Sequence, residues 1–188
     1  MFMQSSSSML KPALGMLRIA VLNALVMAAP ILAIAGDSVH DHAPATLVQI
    51  VRANTAQFIN VNNLSGTGYA PLFGCVSGPD HGAMGIHYIN LGLVRDGMLD
   101  ERYPEALIYE PVGNARRLVG VEYIVDAATW LAAQDNAPPQ LEGQDFQFVN
   151  APNRFGIHSF FELHVWAWRD NPNGAFVDWN NNVTCEHQ

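Results

Sequence analysis

Residues 160–168, Phe-Phe-Glu-Leu-His-Val-Trp-Ala-Trp, constrain this chain more than any other stretch. Successive side chains of an extended strand point to opposite faces. Strict alternation therefore places Glu162, His164, Trp166 and Trp168 on one face and Phe161, Leu163, Val165 and Ala167 on the other. The second set is wholly apolar and needs a core against it. The first carries a carboxylate, an imidazole and two indoles, so that face lines something other than a plain hydrophobic interior.

Further strands are expected from the apolar and alternating runs at 84–90, 106–110 (stopped by Pro111) and 118–125, with another running from Tyr69 toward Cys75. Over residues 43–63, Leu47, Ile50, Val51, Phe58 and Val61 recur at helical spacing, with Pro44 suited to a first turn. Asp126 is placed to cap a short helix over 127–133. The strand connections are mostly short, which favours antiparallel pairing. The fold class expected is α+β: a mainly antiparallel sheet, either open or curled into a barrel, with one long N-terminal helix packed on its apolar face.

Lys11 and Arg18 flank an apolar run over 19–34, and Ala33-Ile34-Ala35 precedes Gly36. This is the pattern of a secretory signal over residues 1–35, leaving a single domain over 36–188 in the periplasm or outside the cell. An uncleaved anchor is the competing reading, although the run falls short of the ~20 residues a spanning helix needs. Removing Lys11 and Arg18 takes the formal charge from -8 to -10, and Lys11 is the only lysine. No basic stripe remains to follow phosphates, so nucleic acid and anionic membrane surfaces are excluded as partners. Cys75 and Cys185 are the two cysteines, and an oxidising compartment favours a disulfide between them over two free thiols.

On three expected strands, the residue that interrupts the apolar pattern is a good metal ligand: His87, Glu122 and His164. Two imidazoles and a carboxylate suit a divalent transition metal (zinc, iron, manganese or copper) with positions left for water or substrate. No cysteine belongs to the set, which argues against a closed structural zinc site. Glu110 and Glu162 are the candidate proton carriers, and Trp166 and Trp168 the candidate walls of a small-molecule pocket. Each residue also has a plainer reading. His87 could be a core histidine bonded to a carbonyl, Glu122 could pair with Arg116 or Arg117, and His164 could belong to an aromatic core face. Whether the chain is an enzyme is left open, with a metal-free carrier or sensor of a small apolar or aromatic ligand as the alternative. Tyr88, Tyr109 and Tyr123 alternate away from these residues and belong to the opposite face. Serine-hydrolase elbows, phosphate-binding loops and dinucleotide fingerprints are absent from the sequence.

The segments Gly-Ala-Met-Gly-Ile-His-Tyr-Ile-Asn (82–90), Tyr-Glu-Pro (109–111), Leu-Val-Gly-Val-Glu-Tyr (118–123), Leu-His-Val-Trp-Ala-Trp (163–168) and Asn-Pro-Asn-Gly-Ala-Phe (171–176) with Trp179-Asn180 together resemble a family of exported bacterial proteins of unknown function. The resemblance runs from about Tyr69 to Cys185. It implies export and a single domain, and it brings no catalytic residues.

Overall fold

The alternating stretches become strands in a computed structural model that describes residues 46–78 and 80–186. The expected signal over 1–35 lies outside the described residues. In chain order the strands are β1 (Tyr69–Ser77), β2 (Ala83–Asn90), β3 (Ala106–Val112), β4 (Ala115–Asp126), β5 (Gln140–Leu141), β6 (Gln144–Asp145), β7 (Gln147–Val149) and β8 (Phe160–Val165). β5 and β6 form a small separate hairpin. The other six make one antiparallel sheet in the order β1-β2-β3-β4-β8-β7. It is open, with β1 and β7 at its edges, so the barrel alternative is not the one adopted.

One face of the sheet packs on helix α1 (Thr46–Thr55). Leu47, Val48 and Val51 of α1 meet Leu107, Val121, Leu163 and Val165, and Tyr109 and Tyr123 lie in the same core. Ile50 is only half-buried, and Val48 takes the place expected for it. Burying each such aliphatic side chain stabilises the fold by ~1.5–3 kcal/mol.

The helix is shorter than its apolar periodicity predicts. After Thr55 the chain passes into two 3-10 turns, Ala56–Ile59 and Val61–Leu64. The cause is local. Asn54 and Thr55 turn their side chains back onto the carbonyls of Ile50 and Val51, and Asn60 is extended and accepts from the Asn62 amide. Phe58 and Val61 still pack against the core from these turns.

Two more helices follow strands. Helix α2 (Leu91–Asp96) is capped by the Asn90 side chain and ends at Gly97 in the left-handed conformation. Helix α3 (Ala127–Ala133) occupies its expected bounds, with Asp126 accepting from the Thr129 amide. β3 continues past Pro111 to Val112. Its last pair with β2 is at Tyr109, so the missing proline N–H lies beyond that ladder.

Cys75 and Cys185 are bonded, joining the C-terminal segment to edge strand β1 across 110 residues. The same segment pairs with β2 through an Ala83–Asn180 bridge. Gly82 makes this approach possible. Its φ is +77°, and a Cβ there would stand 2.1 Å from the Asn180 carbonyl oxygen. No described helix is long and apolar enough to cross a membrane.

Candidate metal centre

The face of the sheet opposite α1 carries the polar side chains. In register, Glu122 of β4 stands between Ala106 of β3 and His164 of β8, while His87 of β2 stands beside Ile108 of β3. The small side chain of Ala106 leaves room for His87 and Glu122 to meet above β3. His87 Nε2 lies 3.3 Å from Glu122 Oε2 and 3.5 Å from His164 Nε2. Glu162, two residues before His164 on the same face, hydrogen-bonds with Glu122. All four residues are buried.

Burial sets their protonation. It lowers His87 to about 4, and a hydrogen bond with the Gly85 backbone only partly opposes that shift. His164 is held well below its ordinary value, by burial first and by its neighbour His87 second. Both rings are therefore neutral at pH 7, the form that ligates metals. Burial pushes Glu122 well above the carboxylate range, and the charge of Glu162 adds to this. Glu162 rises to about 7 by burial, with its bond to Glu122 acting in the other direction. With the His87 ring neutral, its contact with Glu122 is not an ion pair. Arg117, a candidate partner for Glu122, instead donates to Glu110 at 3.2 Å.

One residue near the cluster was not anticipated. Asp178 approaches from the C-terminal segment, its Oδ1 3.7 Å from His164 Nδ1 and accepting from Gln147 Nε2 at 2.6 Å. His164 Nδ1 is buried without a hydrogen-bond partner among the described residues. Ligand atoms of His87, Glu122 and His164 converge within 4.8 Å of one another, as do those of Glu162, His164 and Asp178.

Above Glu122 and Glu162 opens a small cavity of about 40 Å³, lined by Phe73, Met84, Ile89, Ile124, Phe155, Ile157 and Phe160 with His87 at its floor. It continues into an outer groove bordered by Leu72, Leu91, Val94 and His158. Phe73 stands at the mouth with φ of +66°, rare for a non-glycine residue, where β1 bulges between Leu72 and Cys75. Its ring meets Phe155 at 5.4 Å.

The remaining expected residues fall elsewhere. Trp166 stacks on His164 with centroids 6.1 Å apart but packs among Ile108, Val119 and Val183 and does not line the cavity. Trp168 is on the helix side, donating to Thr55 Oγ1. Alternation fails there because the Ala167 amide bonds the Val165 carbonyl, a tight turn that ends the strand at Val165. The pocket walls are thus phenylalanines and aliphatics in place of tryptophans. Glu110 is engaged by Arg117 and by the Thr184 amide, away from the cavity. Tyr109 and Tyr123 lie in the helix-side core, as their alternation implies, and Tyr88 packs against it.

No protein-family model, curated protein or solved structure matches this chain. The candidate site stands on its own geometry.

Proposed function

We propose that this protein binds one divalent transition metal through His87, Glu122 and His164, at the base of an apolar cavity that admits a small organic molecule. The observation that carries this reading is the spacing of the three ligand atoms. With bonds of about 2.0–2.2 Å to zinc, neighbouring ligands of a tetrahedral ion lie ~3.4 Å apart. Two of the three separations, 3.3 Å and 3.5 Å, match that edge, and the third lies within 4.8 Å. Neutral imidazoles need no proton loss to bind, and a cation would supply the charge that an ionised Glu122 lacks here. Zinc, iron, manganese and copper all suit this donor set. When bound, the ion would polarise a carbonyl or activate water or dioxygen. Glu162, on the cavity wall and bonded to Glu122, is the residue placed to carry a proton.

A second reading is favoured by one observation. Glu122 and Glu162 already bond to each other, and His87 and His164 lie within hydrogen-bond reach, so the cluster is largely satisfied without an ion. The protein would then be a carrier or sensor whose cavity takes an apolar or aromatic molecule. Metal content separates the two readings. Untagged protein, purified without chelator, is expected to carry near-stoichiometric metal that both His87→Ala and His164→Ala lose. Metal-free protein that takes none up on reconstitution would leave the carrier reading standing.

A further inference from the structure

We propose that Glu162, His164 and Asp178 form a second divalent-cation site, joined to the first through the two ring nitrogens of His164. This rests on the metal reading of His87, Glu122 and His164.

Three observations carry it. The ligand atoms of Glu162, His164 and Asp178 lie within 4.8 Å of one another. His164 is 1% exposed, and its Nδ1 has no hydrogen-bond partner among the described residues, although a buried nitrogen left unpartnered is costly. Asp178 Oδ1 is 3.7 Å from that nitrogen, too long for a hydrogen bond but within the separation of two ligands on one ion. The surroundings hold these groups in place. Trp166 stacks on the His164 ring, and its indole N–H donates to the Val177 carbonyl at 2.6 Å, beside Asp178. Gln147 holds the Asp178 carboxylate from outside, the place of an outer-shell partner.

The ring nitrogens of His164 serve different neighbours: Nε2 faces His87 and Nδ1 faces Asp178. For both to ligate, the second ion takes the place of the Nδ1 proton, which leaves to solvent, and the imidazolate bridges the two ions. Glu162 then becomes a ligand and ceases to carry a proton. The side chain of Asp178, 24% exposed, gives the second ion a route from solvent that does not pass through the cavity. One imidazole and two carboxylates suit manganese, iron, zinc or copper.

The test uses copper(II) as probe on the untagged full chain, counting ions per chain by mass spectrometry and unpaired spins by electron paramagnetic resonance. Wild type is expected to hold two ions with far fewer than two spins, because an imidazolate bridge couples them. Asp178→Asn and Glu162→Gln are each expected to hold one ion with one full spin, in protein whose circular dichroism is unchanged. A wild type with one ion and one spin, matched by Asp178→Asn, would reduce Asp178 to a residue that orients His164 and would overturn the second site while sparing the first. Two uncoupled ions retained in Asp178→Asn would mean surface binding and would also overturn it. Copper content unaffected by His87→Ala would instead defeat the first site.

Discussion

Burial of Glu162 implies a pH dependence of stability that can be worked through in metal-free protein. Its carboxyl rises from 4.5 to about 7 on folding. A raised folded-state value contributes stability that is fully present below the unfolded value and lost as pH rises through the folded one. Between pH 5 and pH 8 this loss amounts to ~2–3 kcal/mol for one group. Substituting Glu162→Gln removes the titration while keeping the shape. After chelator treatment, wild type and variant are expected to differ little near pH 5. At pH 8 the variant should be the more stable, by roughly 2–3 kcal/mol, or ~5–10 °C in melting temperature for a domain of this size. Urea titrations of both proteins at pH 5, 6, 7 and 8 measure the difference directly. A gap that stays constant across this range would show that Glu162 ionises freely, and the buried-acid account of the site would be wrong.

Reduction of the Cys75–Cys185 bond, or replacement of both cysteines by serine, frees a loop of 110 residues. It should cost ~4–5 kcal/mol in the chain-entropy model, read by calorimetry of oxidised and reduced protein. Gly82→Ala places a methyl 2.1 Å from the Asn180 carbonyl oxygen at a φ of +77°. A loss above ~2 kcal/mol is expected in chemical denaturation. Phe73→Ala removes the aromatic contact with Phe155 at the cavity mouth. Metal-loaded protein carrying it should release its ion to a chelator faster than wild type, in stopped-flow measurements, with the melting temperature little changed because Phe73 is 48% exposed.

The polar face was legible where a residue breaks a strand's own pattern. Glu122 interrupts an apolar run, His164 and Glu162 follow strict alternation, and His87 sits in a strand whose neighbours are apolar; all four are placed on one side of the sheet. Alternation is a property of extended backbone and lapses where the backbone turns, which is why it misplaced Trp168. Helical spacing likewise marked residues 58 and 61 as core-facing but could not register that Asn54, Thr55 and Asn60 divert backbone hydrogen bonding and end the α-helix first. Asp178 belongs to an irregular segment, where no periodicity relates a side chain to a face. Its signal was only a carboxylate between Val177 and Trp179. The cavity lining was illegible for a related reason: Phe73, Phe155 and Phe160 come from a bulge, a loop and a strand, and pairing alone does not relate the first two to the third.

His87, Glu122 and His164 come from three strands distant in sequence, and β3 lies between the first two. No short segment of the chain holds two of them at chelating distance, so an unfolded chain has no local trap for an ion. Metal acquisition would therefore follow assembly of the sheet. The solution in which the chain folds, and not the one in which it is synthesised, would then decide which ion the protein first meets.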